Sequence, residues 1–223
     1  FVPSMPARKE KAAKRQFFVF NHAKLWLHLL STVLTLAAMF SSYSYLAGYL
    51  EKITHMNGVQ ISAMLLLFGG MGIAGNWLAG IALSKNITVA TRLFFILLIS
   101  TQILAYYFGD IFKPMVIILS FWGLIHTGGF LVPNIRTTQA VPHSALEFVN
   151  SLLTSCYNIG ISLCELLGGF VIAHYGIHQI VWMSIALLAL TLGISYIKLP
   201  EKPKTKKEAI KGIKVSFPVC EQV

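Results

Sequence analysis

Glu165 is the only carboxylate inside the apolar stretches of this chain, and His126 falls near the middle of another such stretch. An ionised carboxylate at the centre of a bilayer costs about 3 kcal/mol or more, so it must be protonated, paired or turned toward water. A carboxyl group that gains and loses its proton as it faces one side and then the other would couple proton entry to solute movement. The alternative is a neutral acid hydrogen-bonded to a neighbouring helix. His126 has the same two uses: a proton relay or solute contact, or a neutral imidazole bonded to a single backbone carbonyl. It shares a helical face with Leu119, Trp122, Gly129 and Pro133, while Ser120, Gly123, Thr127 and Asn134 lie on the neighbouring face. Trp122, His126 and Thr127 are therefore candidate solute-binding residues, and Glu165 and His126 are the candidates for proton coupling.

A second group of candidates comes from helical spacing. At 100° per residue, Ser31, Thr35, Ser42, Tyr45 and Tyr49 gather within a sector of about 80°. Such a stripe lines a polar cavity, or else packs with its hydroxyls on backbone carbonyls of its own or an adjacent helix. Gly69, Gly72, Asn76 and Gly80 form a row on another stretch that lets a second backbone approach and offers an interhelical amide. Ser151, Ser155, Asn158, Ser162, Glu165 and Gly169 form a third row, with Gly168 beside it. Gly72, Asn76, Gly80, Asn158, Gly168 and Gly169 are the expected helix-packing positions.

The elements that must hold these residues follow from composition. The 223 residues are 56% hydrophobic and 12% charged, with a mean hydropathy of +0.69, which excludes a water-soluble globular surface. A hydrocarbon core about 30 Å thick needs about 20 apolar residues at 1.5 Å each. Six stretches meet that need, at approximately 25–50, 61–83, 93–108, 115–135, 148–173 and 180–199. Their continuity excludes a membrane barrel, whose strands alternate apolar and polar residues. The fold expected is an all-α integral membrane bundle of six transmembrane helices. Polar faces on the first and fourth stretches, glycines on the second and fifth and apolar third and sixth stretches give a 3+3 pattern of inverted repeats.

Residues 1–24 read as the end of a preceding helix plus a basic loop, residues 25–199 as the bundle, and 200–223 as a basic tail. Phe1 and Val2 lead into Met5-Pro6 and a basic run much as Leu199-Pro200 leads into the tail, so an upstream half of the protein is expected. Sixteen Lys and Arg fall on the side of the chain ends, and only Lys52 and Lys113 on the other, which places both ends in the cytoplasm. The net charge of +10 is thus explained by membrane orientation, and nucleic acid is not expected as a partner. Cys156, Cys164 and Cys220 are too few and scattered for a disulfide framework or a thiolate metal site, and no cofactor is expected. A membrane enzyme would need a nucleophile, a base and oxyanion donors converging, and no motif brings them together. A permease subunit driven by a separate ATPase is the other alternative; the chain has no phosphate-binding glycine loop of its own.

The residues also resemble a family. Tyr43 to Glu51 (YSYLAGYLE), Met64 to Gly80 (MLLLFGGMGIAGNWLAG), Trp122-Gly123 with Pro133, and Asn158-Ile-Gly-Ile-Ser with Gly168-Gly169 are similar to the last six helices of the major facilitator superfamily, within it the bacterial drug and sugar efflux permeases of the arabinose type. The resemblance covers almost the whole chain. It implies a carboxyl-terminal half of a twelve-helix secondary transporter in the bacterial inner membrane, which exports a small solute or drug against proton entry by alternating access. The partners implied are the lipid bilayer, the solute, protons and the amino-terminal six-helix half. Two departures stand out: Cys164 and Glu165 replace small residues of the family's eleventh helix, and the loop from Ser84 to Arg92 lacks the acidic residue of the family's cytoplasmic signature.

Overall fold

The computed structural model describes residues 23–139, 141 and 145–197. The basic stretch before Ala23 and the tail expected at 200–223 lie outside the described residues. All the described elements are helical, as the bilayer demands: without water, each backbone N–H and C=O must be satisfied within its own segment. The helices are α1 (Ala23–Ser44), α2 (Leu46–Lys52), α3 (Gly58–Lys85), α4 (Ile87–Phe108), α5 (Phe112–His126), α6 (Gly128–Gln139), α7 (Leu146–Tyr175) and α8 (Ile180–Tyr196). Together α1 with α2, and α5 with α6, each make one interrupted span, and a 3₁₀ turn at Ile177–Gln179 extends α8. This makes six spans, each long and apolar enough to cross a bilayer.

Local chemistry sets the ends. Asn57 and Gln60 form a reciprocal cap at the start of α3, each side chain accepting the other's backbone N–H at 3.0 Å. Asn86 alone joins α3 to α4: its N–H donates to the Ala82 carbonyl and its side-chain oxygen accepts from the Val89 N–H. The third span accordingly starts at Ile87, not at the expected position 93. Thr91 hides its hydroxyl on the Ile87 carbonyl at 2.7 Å, and Arg92 lays its guanidinium over the Tyr196 ring, so neither polar residue stops the helix. At the far end of α7, Gly176 adopts a φ of 86°, a left-handed conformation that a side chain would oppose.

The spans pack as two related triplets. The first lies against the fifth, and the fourth lies against the second in the matching way; the first also packs on the sixth, the third on the fourth, and the third meets the sixth. Because each triplet has an odd number of spans, the second runs inverted with respect to the first. The first and fourth spans, the leading members of the two triplets, touch each other and are the two that carry an interruption, at Tyr45 and at Thr127. A core containing Leu50, Phe95, Leu98, Met115, Leu119 and Leu188 fills the space among the spans.

Candidate functional site

The fourth span breaks where its most polar residues sit. Pro133 within α6 has no N–H to offer the Gly129 carbonyl, and Thr127 turns its hydroxyl outward to the Gly72 carbonyl of α3 at 2.8 Å. The chain can bend here because Gly128 and Gly129 carry no side chains: a Cβ on Gly129 would run into the Met39 thioether, and one on Gly128 would lie 3.1 Å from the Phe94 ring.

Just before the break stands His126, only 5% exposed. Four aromatic rings surround it: Phe40 and Tyr43 from α1, with centroids 6.1 and 5.2 Å away, Phe68 from α3 at 5.2 Å and Trp122 from its own helix at 6.2 Å. The imidazole Nδ1 is buried and has no hydrogen-bond partner. A buried polar atom left unpaired costs roughly 1–3 kcal/mol, so its retention calls for a purpose. Tyr43 covers one side, stacked on Phe68 at 5.3 Å, and is itself exposed. Phe40 continues the aromatic wall to Phe130, and Phe130 to Tyr157 of α7. The cluster lies near the midpoints of the first and fourth spans, with Tyr43 on its exposed side and Trp122 on its buried side.

The hydroxyl stripe of the first span is distributed among several tasks. Thr35 is buried and bonds to the Ser31 carbonyl of its own helix. Tyr45 donates to the backbone carbonyl of Glu165 on α7 at 3.1 Å, and Tyr49, buried, donates to the Ala105 carbonyl on α4 at 2.8 Å. Ser42 differs, because its Oγ is buried without a partner. It belongs to a residue that lines a small cavity with Leu46, Tyr49, Gln102, Met115 and Trp122, and Gln102 likewise has a buried oxygen, Oε1, without a partner. Trp122 thus separates this cavity from the His126 cluster.

Glu165 is exposed on α7, beside the Tyr45 hydroxyl. The structure does not join it to His126, whose ring neighbours are Phe40, Tyr43, Phe68 and Trp122. The packing positions divide as well. Gly72 faces Thr127, with a Cβ there 3.0 Å from its methyl, and Gly168 faces Tyr45 and Ile180; Gly169 has ordinary contact with Tyr45. Asn76 and Asn158 are exposed, and a Cβ on Gly80 would meet open space. The tight approaches use other glycines. A Cβ on Gly75 would collide with the Leu124 backbone, one on Gly123 would lie 2.5 Å from the Phe68 carbonyl, and one on Gly160 2.7 Å from the Val33 carbonyl.

Sequence reasoning overlooked Tyr43, Phe40 and Phe68 as site residues. They lie off the hydroxyl stripe, and an aromatic residue in an apolar helix carries no signal until its neighbours are known. Among the described residues no group of His, Cys, Asp and Glu is arranged to hold a metal ion.

Residues 29–220 match the family model of the Major Facilitator Superfamily. The chain belongs to that superfamily. Among curated relatives it is 25% identical over 191 residues to a "Probable sugar efflux transporter" of Helicobacter pylori (strain G27), covering 86% of this chain and 49% of the relative. It is equally identical, with the same coverage, to a protein of that name in Helicobacter acinonychis (strain Sheeba). To the "Inner membrane transport protein YdhP" of Escherichia coli O157:H7 it is 26% identical over 205 residues, 92% of this chain and 52% of the relative. The chain spans about half the length of the curated relatives it matches, and its six helices match one half of the superfamily's fold.

Within such a half, the least covered spans are the second and the fifth. On α3, Leu66, Ile73 and Trp77 are exposed together with Gly69, Gly70 and Asn76; on α7, Ile159, Leu166 and Phe170 are exposed together with Ser155, Asn158, Ser162 and Glu165. Isolated polar side chains on a lipid-facing helix are costly, whereas a row of small and polar groups suits contact with another helix.

Proposed function

We propose that this chain is half of a secondary transporter that exports a small polyhydroxylated solute, with the His126 cluster forming part of the solute site. The observation that carries this reading is the buried, unpartnered Nδ1 of His126 inside a ring of four aromatics contributed by three spans. Aromatic faces stack on the C–H faces of a sugar, and a single imidazole nitrogen aligns one hydroxyl. The relatives named as sugar efflux transporters support the same class of cargo. Tyr43, Trp122 and Thr127 complete this wall, while Ser31, Thr35 and Tyr49 serve mainly to hold helices. The aromatic surroundings of His126 supply neither nucleophile nor oxyanion donors, which favours transport over hydrolysis.

In this reading an amino-terminal half covers the polar rows of α3 and α7, and the two halves rock around a site at the bilayer midplane. Asn76, Gly80, Asn158 and Gly169 then face that half, and Gly72 and Gly168 pack within this one. Glu165 faces the aqueous cleft between the halves beside Tyr45, where its protonation changes with the side to which the cleft opens. Proton entry then drives solute export. The excess of Lys and Arg on one side supports an inner-membrane protein with both ends of this chain in the cytoplasm.

The test reconstitutes the intact protein in vesicles and follows labelled arabinose. Glu165→Gln is expected to abolish flux driven by a proton gradient while leaving solute binding in place. His126→Leu is expected to weaken binding by about tenfold, the loss of about one hydrogen bond. Wild-type gradient-driven flux in the first variant removes Glu165 from coupling; wild-type binding in the second removes His126 from the solute site.

A further inference from the structure

At the end of the bundle where α3 turns into α4 and α6 finishes, two arginines share one region. Arg92 stands in the second turn of α4 and Arg136 in the last turn of α6. The Arg92 Cζ lies 4.0 Å from the centroid of the Tyr196 ring, and its Nε is buried with no hydrogen-bond partner. Arg136 is half-buried, and Arg92 is close enough to repel it. Next to Arg136, Thr137 is fully buried and its Oγ1 also lacks a partner.

Two guanidinium groups partly withdrawn from water need an anion. Glu51 and Asp110 are at the opposite end of the bundle, and Glu165 is in the body of α7. Glu147 begins α7 at the same end but is exposed, and the charge felt by Arg136 among the described residues is the like charge of Arg92. The repulsion is therefore not relieved from within the described bundle.

Depth indicates which anion is at hand. Arg92 is five residues beyond Ile87, about 7.5 Å along the helix at 1.5 Å per residue. The polar headgroup layer is roughly 5–7 Å thick on each side, and the long side chains of Arg92 and Arg136, near helix ends at the same end of the bundle, are of the kind that extends toward that layer. The Tyr196 ring covers one face of the Arg92 guanidinium, and phosphate oxygens fit the planar fork of N–H donors that a guanidinium carries on its edge.

We propose that Arg92 and Arg136 form a phosphate-binding site, filled by the headgroup of an anionic lipid or by free inorganic phosphate, with Tyr196 as the positioning residue for Arg92. The bound phosphate cancels the repulsion between α4 and α6, and so ties the closed packing of this end of the bundle to its lipid. The site rests on the packing within this half and does not depend on the solute or on proton coupling.

The test measures thermal unfolding of the intact purified protein in a non-ionic detergent, with phosphatidylglycerol, phosphatidylcholine or inorganic phosphate titrated in. Binding to the folded state raises Tm saturably. Phosphatidylglycerol is expected to act at a concentration at least roughly tenfold lower than phosphatidylcholine, whose equally anionic phosphate is offset by its own choline cation. Arg92→Gln with Arg136→Gln should lose that preference, and Lys85→Gln, which removes one positive charge at the same end, should keep it. If the double variant fails to fold, Arg136→Lys replaces it: the charge stays, the fork is lost, and the preference should fall. A variant-sensitive shift with inorganic phosphate alone identifies free phosphate as the ligand. A phosphatidylglycerol shift that is absent, or that survives unchanged in the arginine variants, overturns the site.

Discussion

Substituting Gly75 and Gly80 by alanine separates packing inside this half from contact beyond it. Both positions lie within α3, so each substitution gains about 1 kcal/mol of helix propensity. At Gly80 the new methyl meets open space, and that gain stands alone. At Gly75 it is driven into the Leu124 carbonyl, with the Leu124 Cα 2.9 Å away. The obstacle is backbone, which no rotamer change can move aside, so α3 and α5 must separate. Overpacking of this kind costs about 1–3 kcal/mol and occasionally more. Separation also pulls Gly72 from the Thr127 hydroxyl, a further loss of about 0.6 kcal/mol typical of an interhelical bond in a membrane. The propensity gain is common to both and cancels, so Gly75→Ala is expected to destabilise the half by roughly 1.6–3.6 kcal/mol relative to Gly80→Ala, about fifteen- to four-hundredfold in the unfolding equilibrium. Trp122 packs edge-on against Phe68 at this interface, so its fluorescence during denaturant unfolding in detergent, in a background with Trp26, Trp77 and Trp182 replaced by Phe, is the assay. In transport the order should reverse in kind: if the proposed arrangement holds, Gly80→Ala, stable, is expected to slow flux by crowding the face that the proposal turns to a second half. If Gly75→Ala unfolds no more easily than Gly80→Ala, the close α3–α5 approach described above is wrong.

Thr127→Val keeps the shape of the side chain and removes its bond to Gly72, so unfolding should become easier by about 0.6 kcal/mol, and a loss above about 2 kcal/mol would show that the break in the fourth span depends on that hydroxyl. Tyr49→Phe leaves the Ala105 carbonyl without its 2.8 Å donor and is expected to cost about 1 kcal/mol in thermal unfolding without altering solute affinity; a large change in affinity would move Tyr49 into the solute site. Tyr43→Ala uncovers the His126 ring, and is expected to weaken solute binding by about tenfold with little change in stability, because Tyr43 is already exposed. Lys52 and Lys113, at the ends of the spans opposite Arg92 and Arg136, should react with an impermeant amine reagent applied outside intact cells; shielding of both would reverse the proposed orientation.

Much of the architecture was legible from hydropathy, since a run of about 20 apolar residues has few alternatives to a spanning helix. The third span was read short at its start because Thr91 and Arg92 look like breaks. Their polarity is absorbed by the Ile87 carbonyl and the Tyr196 ring, and neither partner is visible in a local window. The glycine rows show the same limit. Gly72 was placed at a close contact, yet the contact continues to Gly75 and not to Asn76 or Gly80, because the face that matters is set by where α5 lies, not by the periodicity of α3. The rows on α3 and α7 were seen as polar faces, and their low coverage follows from the way the other spans pack on one another.

Residue order alone determined the number of spans, their helical character and the uneven distribution of basic charge, all of which follow from the cost of placing each residue in lipid. Only the tertiary structure decided which polar groups are paired and which are not. Tyr45 and Tyr49 find carbonyls on other helices, whereas His126 Nδ1, Arg92 Nε and Ser42 Oγ find none. Whether a buried group is satisfied depends on atoms brought together from distant parts of the chain, and spacing along a single helix holds no record of them.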